Sequence, residues 1–390
     1  MVGARSCLCR FMDIGQEQTP IFLVSYWHME QTAKYIQIAK TLQRDILAGK
    51  YESHSRFPSE EMLARRFGAS RPTIERALRE LKRGGFLEAR TGSGFYLTLF
   101  ARNATGVIGV IAPDYRKIDF FTDLCDGIVY SARAAGYDVL LGDVSVPDAE
   151  DRASWALSMA KAFAQRKMAG VLLEPIDLVP GSTEATKAVL DVFRDSHIPV
   201  VLIDRDYLPP PARSQYDLVG IDNFQAGYRI AKHMIDAGAH SLRFLTQPNY
   251  ASTIRSRIHG VAQAAIDARL KWRNDFVIET DPEDKAFFAR LIRGKNAPDA
   301  FICRNDNTAA RLLQTLSQLK LKIPSDVRVA GFDDGNIAKL LNPPLTTIRQ
   351  PVKTLAETSV ASLIQRMRSP DLAPRTILLD ADLIVRKSSS

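Results

Sequence analysis

Apolar side chains recur at Ile36, Ala39, Leu42, Ile46 and Leu47, three or four positions apart, which predicts an amphipathic helix across residues 33–50 closed by Gly49. A second helix opens at Pro58-Ser59-Glu60-Glu61. Ser59 is placed to cap it, and the two glutamates lie in its first turn, where the helix dipole favours them. Met62, Leu63 and Phe67 are expected to face inward, and Gly68-Ala69 forms a turn. A third helix starts at Ser70, its expected cap. Pro72 is tolerated there because first-turn amides have no partner within the helix. Its apolar face is Ile74, Ala77, Leu78 and Leu81, and it stops at Gly84-Gly85. Two short apolar runs, 86–88 and 95–99, flank the glycine-rich Arg90-Thr91-Gly92-Ser93-Gly94 and predict a hairpin. Three helices, a tight turn and a hairpin describe a winged helix-turn-helix over 33–99.

Beyond residue 100 the pattern changes to short apolar runs alternating with helical periodicity. The runs are "ATGVIGVIAP", "YDVLLGDV", "AGVLLEP", "IPVVLIDR", "DLVGIDN", "SLRFLTQ", "DFVIET", "PDAFICRND" and "VRVAGFDD". Helices are expected near 120–135, 153–167, 184–195, 224–237, 255–269, 283–293 and 307–319. That alternation implies an α/β fold with doubly wound parallel sheets. The β-α units are too many for one sheet, so two lobes are expected, with a break near 220–223. Ligands of such sheets sit beyond the carboxyl ends of strands. Those ends carry Asp114, Glu174, Asp204, Asn305 and Asp333, and Arg257 lies in the first turns of a helix. Acidic, amide and guanidinium groups facing one cleft suit the adjacent hydroxyls of a sugar. Phe120 or Phe121 would cover its apolar face.

Charge sharpens the first assignment. The 390-residue chain carries a net charge of +8, and residues 33–98 hold 13 Lys and Arg against 7 Asp and Glu. Much of that charge lies on the third helix, at Arg71, Arg76, Arg79, Lys82 and Arg83. A basic recognition helix with a wing points to duplex DNA. Four cysteines, at 7, 9, 125 and 303, make no disulfide framework and suggest a reducing cytoplasm. Cys7-Leu8-Cys9 lacks a second ligand pair for zinc, so no metal is expected. The apolar run at 21–27 is too short to span a bilayer, and residues 1–20 lack a signal-peptide core. Residues 1–32 read as a disordered tail, or as a start placed upstream of Met29. An enzyme is not expected. No nucleophile is evident, and the adjacent Asp333 and Asp334 would point to opposite faces of an extended segment.

The stretch "FPSEEMLARRFGASRPTIERALRELKRGGFLEARTGSGFYL" resembles the GntR family of winged helix-turn-helix proteins. By that resemblance the DNA contacts are Arg71, Thr73 and the wing tip Thr91-Gly92; Ser70 and the neighbouring Arg76 are further candidates. Glu61 and Glu75 stand where family members often carry arginine. Residues 106–390 resemble the effector domain of the LacI family, with its periplasmic-binding-protein-like fold. The matching stretches include "VGIDNFQAGYRIAKHMIDAGAH", "RSRIHGVAQAA", "FICRNDNTAA", "PPLTTIRQP" and "LIVRKS". This implies sugar contacts at Arg257, Asn305 and Asp333, with Asp204, Glu174 and Phe120/Phe121 as further candidates. It also implies lobe crossings near 220–222, 349–351 and 368–371. The first lobe would then be 106–221 with 351–368, and the second 222–349 with 371–390. A GntR-type headpiece, joined by a linker at 100–105, stands where the LacI headpiece would be. The combination resembles arabinose-repressor-type regulators. The expected protein is a cytoplasmic homodimer without cofactor that represses carbohydrate-metabolism genes. It would bind double-stranded operator DNA and respond to a monosaccharide. The alternative is a second domain that serves dimerisation or takes a non-sugar effector such as a nucleobase.

Overall fold

The computed structural model describes residues 33–390 except 48, 52–55, 91, 99–100, 102–105, 114–118, 143–151 and 271–274. The expected tail, most of the expected linker, Thr91 and Asp114 lie outside the described residues.

Three helices, α1 (Lys34–Leu47), α2 (Glu60–Phe67) and α3 (Arg71–Arg83), close around Leu42, Leu63, Ile74, Leu78 and Leu81. Each such burial contributes about 1.5–3 kcal/mol before entropy is counted. The α2–α3 turn needs Gly68, which sits at φ 53 in the left-handed region and donates its N–H to Ala64. The inward face of α2 is narrower than expected. Leu63 is buried and Phe67 partly so, but Met62 is exposed, because it lies a third of a turn from the Leu63–Phe67 line. Strands β1 (Leu87–Arg90) and β2 (Gly94–Leu97) pair antiparallel as the wing, and Arg56 bridges to Tyr96 on its far edge. Buried Asp45 ties the chain after α1 to α2, accepting from Lys50 at 2.7 Å and Arg66 at 2.5 Å. Burial pulls its carboxyl upward, but these bonds outweigh burial and hold it below the usual range.

The second domain has two parallel sheets. The first is ordered β13-β7-β6-β5-β3-β4 and built from β3 (Val107–Ile111), β4 (Asp138–Leu141), β5 (Gly170–Leu173), β6 (Val200–Ile203), β7 (Asp217–Ile221) and β13 (Thr376–Leu379). Its helices are α4 (Asp119–Ala134), α5 (Arg152–Gln165) and α6 (Ser182–Asp195). The second sheet runs β11-β10-β8-β9, from β8 (Leu242–Thr246), β9 (Val277–Glu279), β10 (Ala300–Cys303) and β11 (Arg328–Ala330). Around it lie α7 (Asn223–Asp236), α8 (Ser252–Asp267), α9 (Lys285–Arg293), α10 (Asp306–Gln318) and α11 (Asn336–Leu340). The chain passes between lobes after β7. It passes again along a two-stranded antiparallel ribbon of β12 (Thr347–Arg349) and β14 (Asp382–Ile384). Helix α12 (Val352–Arg368) packs on the first lobe, where Gly170 leaves room for Leu363 and Gly127 for Ala356.

One expected boundary is corrected. Residues 371–390 were expected in the second lobe, with the last crossing at 368–371. Instead β13 pairs in register with β7, Thr376 opposite Leu218, as the edge strand of the first lobe. The crossing falls between β13 and β14. The cause is an ion pair: Arg366 holds Asp217 with two bonds of 3.0 Å, and the Arg375 N–H adds a third at 2.8 Å, which keeps the chain on the first lobe. As an edge strand, β13 alternates exposed and partly buried positions, with Leu378 half exposed, where the inner strands β5 and β6 are buried throughout.

The headpiece rests against the first lobe. Gln43 Nε2 donates to the Ala135 carbonyl at 2.7 Å, and the Arg368 guanidinium lies 5.8 Å from the centre of the Phe86 ring. Leu47 packs against Gly106. Apolar contact is continuous from headpiece to effector domain.

Candidate functional site

The candidate DNA-reading face is built on α3. Ser70 occupies its N-cap position, but its hydroxyl bonds the Thr73 hydroxyl at 2.8 Å instead of capping an amide. Arg71 is 79% exposed and meets Glu60 of α2 at 3.0 Å. The two departures from the GntR pattern both have partners on their own helix: Glu61 pairs with Arg65 at 2.6 Å and Glu75 with Arg79 at 2.7 Å. Glu80 faces Arg83 at 3.4 Å. Arg76 and Lys82 have no ion-pair partner among the described residues, so they are the uncompensated cations of this face. At the wing tip Gly92 takes φ 71, a backbone that favours glycine. Arg90 stacks over Tyr96 at 4.3 Å.

The interlobe site forms at the strand ends. Helices α7 and α8 touch at two glycines. A Cβ on Gly227 would meet the Arg257 carbonyl at 2.2 Å, and one on Gly260 the Phe224 carbonyl at 2.0 Å. That approach brings buried Arg257 to Asn223, where Nε donates to Oδ1 at 2.8 Å. Nη1 donates to the Arg304 carbonyl at 2.8 Å, and the guanidinium stacks on Phe332 at 4.2 Å. Asp333 sits in a loop of unusual backbone, with φ 108 there and 53 at Asp334. Gln350 Nε2 donates to Asp333 at 2.8 Å, while Asp334 takes Arg349 and Arg386, so the adjacent acids serve different partners. Burial pushes the Asp333 carboxyl up, with the nearby Arg257 charge opposing it.

The remaining expected residues have identifiable contacts. Asn305 Oδ1 caps α10 through the Thr308 N–H, which leaves its amide nitrogen as the donor available to a ligand. Glu174 and Asp204 both grip Arg205, each at 2.6 Å. Phe120 and Phe121 pack edge to face, 4.9 Å apart, and are buried in the core where α4 begins. Sequence reasoning missed Asn223, Arg205, Arg304, Asp306 and Gln350. Each lies within three residues of the carboxyl end of a strand, and that position was the available signal. Asp306 is the most perturbed among them. Burial, then the charge of Asp333, push its carboxyl up to about 8, although Thr347 donates to it at 2.6 Å.

Among the described residues, hydrogen bonds that join the lobes include Leu178 N–H to the Asn249 carbonyl at 3.0 Å, Ser252 Oγ to the Asp206 carbonyl at 2.9 Å, and Asn336 N–H to Asp119 at 3.2 Å. A cavity of about 220 Å³ lies between them, lined in part by Asp177, Arg205, Asp206, Asn249 and Arg255. None of the seven expected effector residues lines it, although Glu174 and Asp204 immediately precede lining residues. No helix among the described residues is long and apolar enough to cross a membrane.

Comparison with known proteins agrees with both halves. Residues 34–97 match the bacterial regulatory proteins of the gntR family, and residues 231–389 match the periplasmic binding protein-like domain. The arabinose metabolism transcriptional repressor of Geobacillus stearothermophilus is 26% identical over 371 residues, 91% of this chain and 97% of that one. The HTH-type transcriptional repressor PurR of Photobacterium profundum is 28% identical over 290 residues, 73% of this chain and 82% of its own. Among solved structures, a LacI family transcriptional regulator from Enterococcus faecium with bound ribose aligns with a TM-score of 0.60 at 21% identity, over 73% of this chain and 98% of that one. The transcriptional regulator CelR in complex with cellobiose aligns at 0.62 and 19% identity, over 85% of this chain and all of that one. These two likenesses establish the fold. The chain therefore joins a GntR-type helix-turn-helix domain to a periplasmic-binding-protein-like domain, an arrangement whose curated relatives are transcriptional repressors.

Proposed function

We propose that this protein is a ligand-responsive transcriptional repressor and not an enzyme. The headpiece reads duplex operator DNA through Arg71, Thr73, Arg76 and the wing. A small sugar bound between the lobes at Arg257, Asn305 and Asp333 sets operator affinity. A homodimer would place two headpieces on a palindromic site.

The observation that carries this reading is the junction. The headpiece is seated on the first lobe through Gln43–Ala135 and Phe86–Arg368. A change of lobe arrangement that moves α12 also moves the support under Phe86. A ligand with different affinities for two lobe arrangements shifts their populations, and DNA affinity follows.

Operator titration by fluorescence anisotropy, with and without the sugar that most raises the melting temperature, tests the proposal. Saturating sugar is expected to lower operator affinity at least several-fold, in line with usual coupling of about 1–3 kcal/mol. Equal affinity in both conditions would rule out regulation by the cleft.

A further inference from the structure

Two arginines meet at the strand ends of the second lobe, the Arg257 guanidinium against the Arg304 backbone. Arg304 follows β10 directly, and its carbonyl accepts from Arg257. The remaining partner of Arg257, the Asn223 amide oxygen, is also uncharged. Neither arginine has a carboxylate within 4.0 Å among the described residues. The Arg304 side chain makes no hydrogen bond there either. Burial holds both guanidinium groups below the ordinary arginine value.

The nearby carboxylates are engaged elsewhere. Glu174, Asp177 and Asp204 surround Arg205 at 2.6, 3.2 and 2.6 Å. Asp333 is hydrogen-bonded by Gln350, and burial moves it toward its neutral form. Arg152 and Asp177, from the first lobe, lie near enough to act on the Arg304 charge, so Arg304 stands where the lobes face each other. Arg257 is buried and Arg304 only partly so; a guanidinium withdrawn from water without an anion has lost hydration and gained little in return. Its planar fork of donors matches the two oxygens of a carboxylate or phosphate.

We propose that the effector is an anionic sugar whose carboxylate or phosphate seats on Arg304 beside Arg257. This rests on the reading of the interlobe cleft as a sugar site and narrows it. Hydroxyls of the same molecule would meet Asn305 and Asp333. A neutral sugar would leave the Arg304 fork without an acceptor.

Isothermal titration of the full-length protein tests this with matched probes: D-galacturonate and D-gluconate for the carboxylate, ribose 5-phosphate for the phosphate, and galactose, glucose and ribose as neutral counterparts. At least one anion should bind at least about tenfold more tightly than its counterpart, and the class that binds identifies the oxyanion. Arg304→Gln should remove that preference. Arg304→Lys, which keeps the charge but not the fork, should weaken a carboxylate more than a phosphate. Neutral sugars binding as well as the anions would overturn the proposal and leave the sugar reading standing. An unchanged preference in both variants would do the same. No binding by any of the six would overturn both.

Discussion

Arg257 Nε and Asn223 Oδ1 meet at 2.8 Å because Gly227 and Gly260 let the helices that carry them touch. Adding a methyl at Gly260 places a carbon 2.0 Å from the Phe224 carbonyl, so the helices must separate. Gly260→Ala is expected to cost about 1–3 kcal/mol, as overpacking does. It should also lower effector affinity while operator binding persists. Thermal melts with and without ligand check both effects, and an unchanged ligand-induced shift would show that Arg257 tolerates the displacement.

Arg257→Ala should bind operator yet ignore effector. Asn223→Ala leaves the buried Nε donor without its acceptor and is expected to cost about 1–3 kcal/mol in stability. Urea unfolding of the two variants, with operator titrations beside it, separates the effects.

On the DNA face, Arg71→Ala should cost about 1–3 kcal/mol on the cognate site and less on random duplex. Lys82→Ala should weaken both alike and flatten the dependence on salt. Glu75→Ala releases Arg79 from its partner and should tighten non-specific binding. Anisotropy titrations across a salt series distinguish these outcomes. Equal losses on both duplexes for Arg71→Ala would reduce that arginine to a phosphate contact.

Asp306 gives the protein a specific pH response. Its folded value of about 8 lies above the ordinary carboxylate value of about 4. Between those limits the folded state keeps a proton that the unfolded state releases. Stability therefore falls as pH rises from about 4 to about 8 and levels off above that. Asp306→Asn removes the titration. Its melting temperature should gain on the parent's across that window, and a constant difference between the two would refute the assignment.

The periodic elements were legible in sequence because apolar spacing dictates them: the expected helices at 224–237 and 307–319 differ by one residue from α7 and α10. Asp333 could be assigned to the cleft from its strand-end position and Arg257 from its place in the first turns of a helix. Their partners could not. Asn223, Arg304 and Gln350 reach them only after the two helices cross and the ribbon of β12 and β14 forms, contacts that no local pattern encodes. The Ser70 hydroxyl was misjudged because a cap motif fixes a position along the chain and not which rotamer the side chain adopts, and Met62 because the inward face of so short a helix is narrower than its apolar run.

Strand β13 places the last piece of the first lobe's sheet behind all of the second lobe in the chain. During synthesis the N-terminal lobe must wait, with the β7 edge unpaired, until nearly the whole polypeptide has emerged. Asp217, buried on that edge, lacks Arg366 and Arg375 for the same interval. An unpaired edge with a buried carboxylate invites misassociation between nascent chains. Maturation of the effector domain is then a late, all-or-none event. Because breaking a buried ion pair costs about 3–5 kcal/mol, Asp217→Asn should lower the yield of soluble protein more than it alters any binding constant of the molecules that do fold.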